Sequence, residues 1–229
     1  MEHRITLITF DQRLSRIEMT GFRGAVASLF PDETIYHNHE GDSLIYRYPA
    51  IQYKFIEGRV SIVGIDEGAE SIEKHFPLRQ KFSFIINGEP VQMTVTDKKT
   101  TFYVPESQES AENYYFIKNW MPLNQENHVR YIQSETISEK IALLDSILSA
   151  NILSLFSGFG YYSEHKSKAN ILEIVSSDIV KYKGNDMQTF DIRFKCNAKL
   201  PEFCGLGKGA SRGFGIIYQS HPRSNSTRK

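Results

Sequence analysis

From Gly205 to Gly215 the chain reads Gly-Leu-Gly-Lys-Gly-Ala-Ser-Arg-Gly-Phe-Gly, five glycines in eleven residues. Glycine lacks a Cβ, so such a backbone can approach a ligand closely and point its N–H groups at a phosphate. Gly207, Gly209 and Gly213 supply that access, while Lys208, Ser211 and Arg212 add two positive charges and a hydroxyl. Two well-known phosphate loops do not fit. A mononucleotide loop requires glycine where Glu202 stands, and a dinucleotide turn requires a following helix and further βαβ units. The second chemical feature is His37-Asn38-His39. Histidine titrates at about 6.5 and can give or take a proton near neutrality. In a strand-like conformation residues two apart face the same side, so both rings could reach one group. A His-x-His pair near Glu40 and Asp42 could also begin a metal site, which is the lesser reading. The tripeptide spells the name of the HNH nucleases, whose motif is spread over a ββα metal fold instead. The remaining histidines, and Cys196 and Cys204, lack ligand spacing.

These residues need a scaffold. Residues 4–10 read as a strand and 21–29 as a helix stopped at Phe30-Pro31. A polar loop runs from Asp32 to Ser43. Residues 50–56 and 59–65 form a hairpin around Glu57-Gly58, 67–76 a helix ended by Pro77, and 81–87 a further strand. Strand, helix, strand, strand, helix, strand is the ferredoxin-like βαββαβ order, a four-stranded sheet with helices on one face. The other face is left to bind a ligand or pack on a neighbour. Residues 91–104 and 114–119 read as strands. Helix 137–156 has a capping box at Thr136 and Glu139, apolar residues at helical spacing, and Gly158 placed to end it. A hairpin follows around Gly184-Asn185, then the glycine-rich stretch and a last strand at Phe214–Tyr218. The fold class is therefore α+β, two ferredoxin-like units in tandem, the second modified by the C-terminal glycine-rich loop. The expected domains are residues 1–104 and 105–220, with 221–229 a basic tail.

The 229 residues carry 27 basic and 27 acidic side chains. Zero net charge argues against a uniformly basic nucleic-acid binder. The balance hides an asymmetry: from Arg193 onward eight basic residues face one acid, Glu202. A local anionic partner fits that pattern. By this reading no apolar run is long enough for a membrane helix, and no signal-peptide core opens the chain, so a cytoplasmic protein with no membrane partner is expected.

A glycine-rich loop immediately before a terminal strand resembles that of the CRISPR-associated RNA-processing endoribonucleases of the repeat-associated mysterious protein superfamily. The N-terminal half is similar as well, through His37-Asn38-His39-Glu40, Tyr46-Arg47-Tyr48-Pro49-Ala50-Ile51-Gln52-Tyr53-Lys54, Val63-Gly64-Ile65 and Glu67-Gly68. The resemblance implies a metal-independent endoribonuclease that cleaves precursor CRISPR RNA within its repeats. The ribose 2′-hydroxyl would attack, leaving a cyclic phosphate and a 5′-hydroxyl. It makes His37 or His39 the expected general acid or base. Lys54 then reads as a phosphate clamp, and Tyr48 or Tyr53 as base-stacking or proton-relay residues. The blander readings put Tyr53 in the core and Lys54 in solvent. Gly207, Lys208, Gly209, Ser211, Arg212 and Gly213 become the RNA-binding loop. No cofactor and no metal are implied. The partners are CRISPR repeat RNA and subunits of a CRISPR effector complex, with room for a homodimer. Two other readings compete: a non-catalytic RNA-binding subunit of such a complex, and an α+β protein holding a small phosphorylated ligand in the loop.

Overall fold

The computed structural model describes residues 1–14, 16–36, 39–40, 43–44 and 48–222, with the backbone alone for residues 16, 17, 39, 40, 43 and 44. The first unit opens with β1 (His3–Phe10) and α1 (Arg16–Leu29), which starts five residues before the expected helix. A 3-10 turn, Thr34–Tyr36, leads to two short paired strands, β2 (His39–Glu40) and β3 (Ser43–Leu44). Then come β4 (Ile51–Ile56), β5 (Arg59–Ile65), α2 (Glu67–His75), β6 (Lys81–Ile86) and β7 (Glu89–Tyr103). Glu57 and Gly58 both take positive φ, at 51° and 78°, the geometry a two-residue hairpin turn requires.

The sheet order is β4-β5-β1-β7-β6, antiparallel throughout. The strand that returns beside β1 is therefore β7, and β6 is an added outer hairpin strand. This corrects the fourth strand expected at 81–87. Phe22 and Val26 of α1 and Ile72 of α2 pack with Ile8, Phe10, Tyr53, Val60 and Ile62 on one face of the sheet.

In the second unit β8 (Glu106–Ser107) pairs with β12 (Ala198–Lys199) at the rim. The main elements are β9 (Asn113–Trp120), α3 (Gln125–Gln133), α4 (Ile137–Gly158), β10 (Ala169–Tyr182), β11 (Asn185–Cys196) and β13 (Ile216–Gln219). Sheet order β10-β11-β9-β13 matches the first unit's β4-β5-β1-β7. The second helix of the motif is missing: residues 200–215 run through its place without helix. The capping box of Thr136 and Glu139 is formed as expected. Leu144, Leu148, Ile152 and Leu155 of α4 pack on Ile117, Phe190, Ile192 and Phe194. This helix is long and apolar enough to cross a bilayer, contrary to the sequence reading. Five of its apolar residues, Leu144, Leu148, Ile152, Leu155 and Phe156, are buried in the core.

The face of the first sheet that carries no helices is covered. Ile5, Leu7, Val63, Ile65 and Tyr103 share one core with Phe159, Leu200, Cys204 and Leu206 of the second unit. Aromatic contacts cement the joint, with His3 and Tyr103 rings 4.8 and 5.1 Å from that of Phe159.

Candidate functional site

The glycine-rich segment straddles the two units. Its ends belong to the second: Leu206 N–H donates to Gly215 O (2.8 Å) and Gly215 N–H to Asn119 O (3.0 Å). A Cβ on Gly215 would collide with the Leu206 backbone, and φ there is +65°, so only glycine closes this loop. Its middle belongs to the first unit. β4 is an edge strand whose outer backbone would otherwise be unpaired. Tyr53 N–H donates to Ser211 O (3.2 Å), and Tyr53 and Arg212 form a parallel bridge.

Side chains from residues 48–54 complete the clasp. Tyr48 donates its hydroxyl to Gly205 O (2.6 Å), Gln52 Oε1 accepts from Gly205 N–H (2.8 Å), and Lys54 Nζ donates to Ala210 O (2.7 Å) and Phe214 O (3.5 Å). A Cβ on Gly205 would lie 2.5 Å from Lys54 Nζ and 2.7 Å from Ala210, so its absence lets the ammonium reach the loop.

This placement changes three sequence assignments. Lys54 is 0% exposed and grips backbone carbonyls, so it is neither solvated nor able to clamp an RNA phosphate in this arrangement. Alternation along β4 pointed it outward, but that face is covered by a loop about 150 residues further on. Among the described residues no carboxylate pairs with it, and burial pushes its ammonium down to about 7, opposed by the nearby Cys204. Tyr53, 1% exposed, packs edge-on against Phe22 and cannot stack on a base. Burial raises its phenol, partly offset by Arg23. Tyr48 is a strut: a Cβ on Gly158 would strike its side chain, its ring lies 5.5 Å from Phe159, and burial drives its hydroxyl well above the usual value.

The outer rim of the loop has the opposite character. Lys208 is exposed and Gly207, Gly209, Ser211, Arg212 and Gly213 are half-buried. Lys208 Nζ and the Arg212 guanidinium each lie 5.8 Å from the centre of the Tyr182 ring, at the end of β10. Tyr182 packs edge-on against Phe214 at 5.5 Å. Arg23 of α1 joins them: burial, then the charge of Arg212, lowers its guanidinium pKa. Cations that repel one another around an aromatic ring suit a polyanion whose phosphates separate them and whose bases can stack. Arg23 and Tyr182 escaped the sequence reading. The only signal was Lys181-Tyr182-Lys183 at a turn, basic and aromatic residues interleaved.

His37 lies outside the described residues. His39 opens β2, its backbone paired with Leu44. The segment that holds both is fixed at its two ends. Tyr36, buried in the first core, accepts from Ser71 Oγ (3.1 Å) and lies 3.2 Å from His75 Nδ1. Tyr48 is bonded to Gly205 of the loop.

Comparison with known proteins supplies the remaining context. The Cas6b N-terminal domain matches residues 1–101 and the Cas6b C-terminal domain residues 106–220. An uncharacterized protein of Methanocaldococcus jannaschii, MJ0978, is 39% identical over 110 residues, spanning 47% of this chain and 74% of that protein. A crystal structure of Cas6b superposes with a TM-score of 0.84 at 28% identity, covering 96% of this chain and 100% of that one. A second, of a CRISPR RNA processing endoribonuclease Cas6b, gives 0.72 at 26% identity with the same coverage. With both family domains matched in order along one fold, the chain belongs to the Cas6b family.

Proposed function

We propose that this protein cuts precursor CRISPR RNA within its repeats, in the cytoplasm, by attack of a ribose 2′-hydroxyl on the adjacent phosphate. One observation carries the reading. The eleven-residue segment that holds His37 and His39 ends on Tyr48, whose hydroxyl is bonded to Gly205 of the glycine-rich loop. The two sequence features capable of chemistry are thereby tethered to each other. One of the two similar Cas6b structures is that of a CRISPR RNA processing endoribonuclease, which supports the substrate.

In-line transesterification needs a base for the 2′-hydroxyl, an acid for the leaving 5′-oxygen, and positive charge at the phosphorane. His37 and His39 supply the proton transfers. Lys208 and Arg212, with loop N–H groups, supply the charge and the grip. Lys54 has no place among the groups that touch substrate. The products are a cyclic phosphate and a 5′-hydroxyl.

The test is cleavage of end-labelled repeat RNA. Cutting persists in chelator, and a single 2′-deoxy nucleotide before the cut abolishes it. Unchanged cutting of the deoxy substrate refutes internal attack, and complete loss in chelator refutes the metal-free route.

A further inference from the structure

The buried lysine of β4 has no role in the chemistry above, yet every polar contact it makes is to the glycine-rich loop. Its partners are Ala210 O and Phe214 O. Five and nine residues earlier in the chain, Gly205 is held at both its N–H and its carbonyl, by Gln52 and Tyr48. All three side chains come from one seven-residue stretch, 48–54, and its first residue also ends the histidine segment. The loop has few bonds of its own. Arg212 N–H and Phe214 N–H both turn back to Gly209 O (2.8 and 3.4 Å), and four of its glycines take positive φ. Such a backbone has many conformations to choose from when unclasped.

We propose that Lys54 and Tyr48 are positioning residues: they hold the glycine-rich loop in one conformation, so that the groups it offers a phosphate are set before RNA arrives. The cleavage part of this inference rests on the function proposed above; the mechanical part does not. Lys54 holds the loop at the carbonyls of Ala210 and Phe214, and Tyr48 holds it at the carbonyl of Gly205. A misplacement of about 1 Å costs on the order of a hundredfold in rate when reacting groups must align.

Two measurements on the full chain test this with Lys54→Met, Tyr48→Phe and the double variant. The first is amide hydrogen exchange of RNA-free protein. Exchange across 205–215 should rise roughly tenfold or more in Lys54→Met, while β9 and β11 stay as in wild type. The second is single-turnover cleavage at saturating repeat RNA, where lost affinity is masked and lost alignment is not. The rate should fall roughly tenfold or more in Lys54→Met and severalfold in Tyr48→Phe. The double variant should lose less than the product of the single losses, since both act through one loop. Wild-type exchange across the loop in both single variants overturns the proposal, as do cleavage losses that simply multiply. If Lys54→Met shows no cooperative melt, Tyr48→Phe, which removes one hydroxyl, decides through loop exchange: a rise supports the clasp and wild-type exchange overturns it. If wild-type protein cuts no repeat RNA, the function falls while loop exchange still decides the clasp.

Discussion

The two ferredoxin-like units use one strand order for opposite ends. In the first, two helices close one sheet face and the second unit closes the other. Its polar side chains at the junction, Gln52 and Lys54, are wholly buried. In the second, a loop replaces one helix, and the sheet face away from α4 stays lined with half-buried Phe116, Arg193 and Tyr218. A helix satisfies its own backbone and offers a ligand little but side chains. A glycine-rich loop leaves its backbone groups to be satisfied by something else, which makes it useful for binding and dependent on a neighbour. Under the function proposed above, the difference becomes a division of labour: the first unit would supply the proton-transfer segment and the mount, and the second most of the gripping surface, joined by Arg23 of α1.

That division can be broken most sharply at the histidines. His37→Ala with His39→Ala should lower the saturating cleavage rate by about a hundredfold to ten-thousandfold while RNA affinity, read by filter binding, changes little. A large affinity loss would put the grip in the first unit instead. The converse pair, Lys208→Ala with Arg212→Ala, should weaken binding by roughly ten- to a hundredfold and reduce the salt dependence of log Kd by about two units, read by titration over a range of salt.

A third prediction concerns the mount. With its folded pKa near 7, Lys54 binds fewer protons in the folded chain than in the unfolded one between about pH 7 and 10.5. Its contribution to stability therefore rises with pH across that window. Cys196 and Cys204, pushed up to about 12 by burial from an ordinary 9.0, oppose this only above pH 9. Denaturant unfolding should show wild-type stability gaining up to about 1.4 kcal/mol per pH unit between 7 and 9 from this group. Lys54→Met should lose that slope. The smallest effect belongs to the scaffold alone: Thr136→Ala removes the α4 capping box at a cost of about 1 kcal/mol by denaturant melt, leaving cleavage untouched.

Elements whose signal is local could be read directly. Glu57-Gly58 announces a hairpin turn, and Thr136 with Glu139 announces a helix start. Helix α3 was not read from the sequence: it is nine residues long and none of them is buried, with Tyr131 only partly covered against the core. The pairing of β7 with β1 spans 96 residues at Ile5 and Thr101, and no local pattern decides which of two neighbouring strands returns to the sheet. The candidate loop and histidines were visible as composition. The burial of Lys54 and Tyr53 and the contacts of Tyr48 were not, because each is set by residues far away in the chain or by the core they help to build.

The contact from Lys54 to Ala210 joins residues 156 positions apart. Closing so long a span is among the slower events for a chain of this size, since the ends must meet before any bond rewards them. Refolding from denaturant should accordingly restore helix and sheet signals before it restores any RNA-cutting power, the last kinetic step being the docking of the two halves.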